Sequence, residues 1–170
     1  MNAPANLTIR AARVDDASRL KDLGVQGWET TYADFVSAAN RASYLAGEFW
    51  SLERLRAIIT DPARATFVAE QRGTVIGFAT FEPHDAGRAE LTRFYVAPDA
   101  RRSGAGRALF DAGLAWARAS GARAMLVNVF ADNAIGRALY KKVGFQLTDL
   151  APSALGDQTV GDAWYTLELA

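Results

Sequence analysis

The run Phe94-Tyr95-Val96-Ala97 stops at Pro98, passes through Arg101-Arg102-Ser103-Gly104-Ala105-Gly106-Arg107, and resumes as an apolar helical pattern. Proline does not continue a paired central strand, and the two glycines mark a turn. Beyond it, Leu109, Phe110, Gly113, Leu114 and Ala117 recur on one face of a helix predicted from Gly104 to Ser120. Gly121 then occupies the usual C-terminal stop. A strand–turn–helix unit of this kind belongs to an α/β sheet. It also carries a chemical implication. The first amides of a helix have no partners within it, and the helix dipole adds positive potential there. Arg101, Arg102 and Arg107 add charge, and the glycines at 104 and 106 remove side chains that would hold a ligand away. The turn therefore reads as an anion site suited to phosphate or pyrophosphate.

Two phosphate motifs fail on it. A P-loop needs lysine and then serine or threonine after the second glycine, where this chain has Arg107-Ala108. A dinucleotide loop needs a third glycine, and Leu109 stands there.

The remaining chain reads as one domain, residues 1–170. Half of its 170 residues are hydrophobic (50%), enough for a sizeable core. Strands are predicted at Leu7–Arg13, Ala65–Gln71, Thr74–Phe81, Arg88–Val96, Ala124–Phe130, Phe145–Leu147 and Ala163–Leu169. The stretch 82–87 is predicted as a loop, and Arg72-Gly73 as a hairpin turn. Before the hairpin, helices are expected from Asp15 or Asp16 onward, over Ala38–Leu45, and from Ser51 to Asp61. A short one follows Asp132-Asn133 and ends at Gly144. The result is a mixed central sheet with helices on both faces.

Composition removes several functions. Nineteen basic residues balance nineteen acidic ones, which argues against a nucleic-acid or membrane partner. The absence of cysteine excludes disulfides, a thiolate metal site and a cysteine nucleophile. No His/Asp spacing points to a metal. The first residues lack the design of a signal peptide, and no apolar run approaches the ~18 residues of a membrane span. A cytoplasmic protein is expected.

A second motif decides the family. Asn133-Ala-Ile-Gly136-Arg-Ala-Leu-Tyr140-Lys-Lys-Val-Gly144-Phe145 is similar to a fingerprint of the GNAT N-acetyltransferase superfamily. Arg101-x-x-Gly104-x-Gly106 resembles that family's acetyl-CoA pyrophosphate loop, and the order and spacing of the two motifs agree with it. Gly136 stands where alanine is usual, weakening the helix by about 1 kcal/mol. The resemblance implies the GNAT-type fold, with a V-shaped split between the fourth and fifth strands and acetyl-CoA as co-substrate. In the family, backbone groups at the positions of Phe94 and Val96 pair with the pantetheine arm, and Asn133 meets it from the far side. A bulge is expected at Phe94-Tyr95-Val96. Lys141 and Lys142 read as solvated helix lysines.

Acyl transfer to an amine needs a base for the nitrogen, donors for the developing oxyanion and an acid for the thiolate. The resemblance makes Tyr140 the acid; its structural reading is a core tyrosine completing an Ile135–Leu139–Val143 stripe. Glu90, eleven positions before Arg101, matches the glutamate base of the histone-modifying branch. Its alternative is a surface pair with Arg88 or Arg93. His84, the only histidine, is a lesser candidate for the base. For the acceptor, the first helix offers Trp28 and Tyr32 with Glu29, Asp34 and Phe35 beside them. The 28–45 region and the tail from Leu155 loosely resemble the bacterial polyamine acetyltransferase branch. A small-molecule amine is the expected partner, and the resemblance also implies a homodimer. The alternatives are a non-catalytic acyl-CoA sensor and an acetyltransferase of protein N-termini or lysines.

Overall fold

The computed structural model of the chain describes residues 6–85 and 87–170. The reading of the extreme N-terminus as free of a leader falls partly outside them. Seven strands form one sheet: β1 (Leu7–Ala11), β2 (Ala65–Gln71), β3 (Thr74–Asp85), β4 (Arg88–Val96), β5 (Ala124–Phe130), β6 (Gln146–Leu155) and β7 (Gln158–Glu168). Their spatial order is β1-β2-β3-β4-β5-β7-β6. Only β4 and β5 run parallel, joined by the crossover helix α4 (Ala105–Ala119); every other pair is antiparallel.

Helices cover both faces, as the sequence predicts. On one, α4 and α5 (Ala134–Lys142) enclose Phe81, Leu91, Leu109, Met125 and Tyr165. On the other, α1 (Ala17–Thr31), α2 (Ala38–Ala46) and α3 (Leu52–Thr60) bury Leu20, Leu23, Trp50, Leu55, Ile58 and Phe78. Ser37 and Ser51 cap α2 and α3, their hydroxyls accepting from Asn40 N (3.2 Å) and Arg54 N (3.0 Å). The glycine in the stripe of α4 lets the helix close on the sheet: a Cβ at Gly113 would stand 1.9 Å from Phe81 Cζ.

Four local expectations need correction. β1 ends at Ala11, not Arg13, and Asp16 does not cap α1 with its side chain. Its carboxylate instead accepts from Arg13 N (2.7 Å) and from Arg10 (2.8 and 3.0 Å). The segment read as a loop after Phe81 is strand as far as Asp85. Pro83 has no N–H to give and its neighbours are polar, so the sequence resembles a loop. The ladder continues through a register slip that leaves His84 as the extra residue. Finally, the tail forms a long β6–β7 hairpin turning at Gly156 (φ 60°), and β7 lies inside the sheet. The sheet's edges are β6 on this side and β1 on the other.

The tip of that hairpin reaches α2. Asn40 Nδ2 donates to Asp157 Oδ1 (2.8 Å) and Gln158 Oε1 (2.9 Å), Ser37 N donates to Gln158 Oε1 (2.8 Å), and Gln158 Nε2 donates to Phe35 O (3.2 Å). Gly156 permits this contact, since a Cβ there would lie 2.0 Å from Asn40 Oδ1.

Candidate active site

The parallel ladder between β4 and β5 runs from Arg88↔Ala124 to Leu91↔Val127 and stops. Past that point β4 stays with β3 and β5 stays with β7. The two strands part, giving the split between the fourth and fifth strands. Ala97 N–H donates to Ile76 O on the β3 side (2.8 Å). Alternation along an antiparallel ladder then turns the N–H and C=O of Phe94 and Val96 toward the open edge. The bulge, however, is not at Phe94-Tyr95-Val96, whose partners Ala79, Phe78 and Gly77 are in regular register. It falls at Thr92, between Leu91 (opposite Phe81) and Arg93 (opposite Thr80).

The basic turn sits at the head of the split. Arg102 (φ 71°) and Gly104 (φ 89°) both take left-handed backbone, and Gly104 precedes the first turn of α4. Ala105 N donates to Ser103 Oγ (3.2 Å) and Ala108 N to Gly104 O (3.0 Å). The amides of Gly104, Gly106 and Arg107 find no acceptor among the described residues. A Cβ at Gly104 would meet nothing within 4 Å, whereas one at Gly106 would touch Phe94 Cζ at 3.4 Å. Gly104 thus leaves the approach open, and Gly106 lets the helix lie close to β4. Arg101 and Arg102 are exposed and form no ion pair among the described residues; Arg107 pairs along its own helix with Asp111 (2.9 Å).

Tyr140 is the buried member of α5, 9% exposed, with its ring edge-on to Phe145 at 5.6 Å. The stripe proposed as its structural alternative does not exist: Ile135 is 81% and Leu139 41% exposed. Burial first, and the nearby Tyr32 phenol second, hold the Tyr140 phenol well above its usual range, so it keeps its proton. Tyr32 comes from α1 on the other face and lies against Phe130 at 5.2 Å. Its phenol is pushed up to about 12 by burial, with Asn133 pulling the other way. Asn133 caps α5, its Oδ1 accepting from Gly136 N (2.9 Å). An alanine Cβ at 136 would come 2.7 Å from Asn133 Nδ2, so the glycine departure is tied to the seating of Asn133. Lys141 and Lys142 are exposed in the last turn of α5, where positive charge suits the carbonyl end.

On β4, Ala89 and Leu91 enter the α4-side core, which turns Glu90 to the α1–α3 face. Neither arginine considered for it is its partner. Arg88 bonds Asp85, while Arg93 is buried, lies 3.7 Å from the Phe49 ring and donates to Phe49 O (2.8 Å). Burial lowers the Arg93 guanidinium to about 10. Glu90 Oε2 instead meets His84 Nδ1 at 2.8 Å, and the His84 ring is 5.9 Å from that of Trp164 on β7.

Above this lies an aromatic wall that sequence reasoning found only in part. Trp28 is 4% exposed, stacks on Tyr44 (4.3 Å) and donates from Nε1 to Tyr95 OH (3.1 Å). It stands behind the wall, while Tyr32, Phe35, Tyr44, Phe49 and Phe130 are half-buried in it. Glu29 is held by Arg41 (3.2 Å), and Asp34 is exposed. Tyr44, Phe49 and Trp164 were missed, and Arg93 was weighed only as a partner for Glu90; the aromatic spacing of Tyr44, Phe49 and Trp50 was the one available signal. A separate cavity of about 660 Å³, lined by Asp85, Gly87, Arg88, Arg123, Ala124 and Glu168, lies at the opposite end of the β4–β5 pair and includes none of these groups. Among the described residues no acidic or histidine cluster could hold a metal, and no helix is long and apolar enough to cross a membrane.

Residues 28–145 match the acetyltransferase (GNAT) family. An uncharacterized N-acetyltransferase of Bacillus subtilis is 30% identical over 132 residues, covering 75% of this chain and 73% of that protein. Among solved structures, the PaiA N-acetyltransferase of Thermoplasma acidophilum in complex with coenzyme A superposes with a TM-score of 0.79 at 24% identity, over 92% of this chain and 98% of that one. A putative acetyltransferase of Salmonella typhimurium with its cofactor acetyl-CoA gives 0.70 at 24% identity, over 97% and 95%. These two likenesses establish the fold.

Proposed function

The chain belongs to the acetyltransferase (GNAT) family and is an acetyl-CoA-dependent N-acyltransferase, and from that premise we propose that its acceptor is the primary amine of a small molecule, which attacks directly in a ternary complex. The observation that carries this reading is the free inner edge of β4, with a protonated phenol on one side of the sheet and a carboxylate on the other.

Acetyl-CoA supplies a thioester. The residues fit it: the bare amides at the head of α4, with Arg101 and Arg102, form a surface for its diphosphate, and the Phe94 and Val96 backbone groups offer the pairing of an added strand. Free N–H groups on β4 can take the negative charge that develops on a carbonyl oxygen at the split. An alkylammonium with a pKa near ~10.4 has to lose a proton before it attacks, and the Glu90–His84 pair stands on the acceptor side of the sheet to receive it. Tyr140 donates the proton that the departing thiolate requires.

The narrower polyamine reading comes from the loose resemblance of the 28–45 region and the tail; of the acidic side chains that would suit it, Glu29 is already paired, and the buried Arg93 gives this face positive charge. We therefore propose no polyamine preference. Within the same proposal the enzyme works in the cytoplasm and forms a homodimer. Exposed Leu147 and Leu150 on the outer strand β6 support the dimer, which sedimentation tests. Release of free CoA from acetyl-CoA is the test of function, run with small amines (amino acids, aminoglycosides, spermidine) and with a peptide bearing a free N-terminus. Turnover of a small amine is expected. Turnover of the peptide alone would transfer the reading to protein acetylation, and coenzyme A binding without any turnover would leave a sensor.

A further inference from the structure

We infer that Glu90 does not itself collect the amine proton but holds His84, whose Nε2 does so; this rests on the reading of the chain as an amine acetyltransferase. The two side chains arrive from different strands. His84 is the extra residue of the β3 bulge, and without that slip the strand's alternation would send its side chain elsewhere. Glu90 sits beside Leu126, one pair before the ladder ends at Leu91↔Val127. Trp164, whose neighbours Ala163 and Tyr165 are buried in the α4-side core, projects on the same face as Glu90 and bounds the imidazole from the β7 side. Three strands thus place one imidazole next to the point where β4 and β5 part.

The order of the pair is the informative part. The Glu90 side chain is the more enclosed, 19% exposed, and the imidazole is the outer one at 32%. With a carboxylate inside at 2.8 Å from Nδ1, the neutral ring carries its hydrogen on Nδ1, donates it to Glu90 and leaves the Nε2 lone pair free. That is the division of roles in which a carboxylate orients an imidazole and the imidazole moves the proton. The two acidic neighbours on β3 are engaged by arginines. Glu82, directly across the ladder from Glu90, is bonded to Arg64 (3.0 Å), and Asp85 to Arg88. No lysine or arginine forms an ion pair with Glu90 among the described residues. In the step, a nitrogen–hydrogen bond of the ammonium breaks, an Nε2–H bond forms to give imidazolium, and solvent later takes that proton. Glu90 keeps its charge throughout, so it is a positioning residue.

The test uses the full-length protein with acetyl-CoA and the amine turned over fastest in the screen above. Coenzyme A binding by calorimetry shows that each variant is folded, so an absence of acceptors would overturn the functional reading separately. His84→Gln is expected to lower kcat/KM about 100-fold or more and Glu90→Gln about tenfold. The double variant is expected to be no worse than His84→Gln alone. Added imidazole should restore part of the rate of His84→Gly. If His84→Gln stays within about threefold of the wild type while Glu90→Gln loses about 100-fold, Glu90 acts directly and the inference fails. Loss in His84→Gln without imidazole rescue of His84→Gly would equally overturn it, leaving His84 a structural role.

Discussion

At the head of α4 the working surface is main chain: three unpartnered amides, a left-handed glycine and a helix terminus, all within a few consecutive residues. Across the sheet, the face proposed to receive the acceptor is made of side chains drawn from β3, β4, β5, β7, α1, α2 and the turn at Glu48–Trp50. The first region needs only local backbone shape, so a short motif specifies it. The second needs distant segments to arrive together, so its chemistry depends on the completed sheet. The split lies between them, and Tyr140, buried in the α4-side core, is the residue proposed to serve it from the motif-bearing side.

If this division holds, damage on each side should read differently. Tyr140→Phe removes a proton donor and little else, and kcat should fall about 10²- to 10⁴-fold while calorimetry finds coenzyme A affinity unchanged. A comparable loss of affinity would blur the division. Gly104→Val puts a β-branched residue at φ 89° in the open approach to the amides. The backbone term alone is about 1–2 kcal/mol, and coenzyme A should bind at least tenfold more weakly with the acceptor KM little changed.

The phenols give a pH test of the side-chain region. Burial raises Tyr32 to about 12 and also raises Tyr44, Tyr95 and Tyr140. A raised folded pKa means stability present below the unfolded value near ~10 and lost as pH climbs toward the folded one. The unfolding free energy from urea titrations should therefore hold to about pH 10 and then fall by roughly 1 kcal/mol per pH unit for each buried phenol. A midpoint independent of pH up to 11.5 would mean these tyrosines are open to water. The last is Trp28→Phe, which leaves the buried Tyr95 OH without its donor and should cost about 1–3 kcal/mol of stability with coenzyme A affinity intact.

Much of the framework could be read in advance, for reasons visible in single residues. Arg72-Gly73 between two alternating runs fixes the β2–β3 hairpin, and Gly104 and Gly121 bracket α4. What escaped were features whose local sequence points elsewhere. Pro83-His84 looks like loop because neither residue shows strand alternation, yet the slip there aims the imidazole. The β6 residues are mostly exposed, and Pro152 with its small neighbours breaks the pattern of a strand, so only the start at Phe145–Leu147 could be read. Glu90 suggested arginine partners two and three positions away, but those arginines were already engaged, and the actual partner sits across the ladder. Trp164 had no signal at all until β7 was seen inside the sheet.

The bonds between Asn40 and the β6–β7 tip fasten the end of the sheet to the start of α2. They join segments 117 residues apart in the chain, so α2 cannot lift from the sheet without parting them.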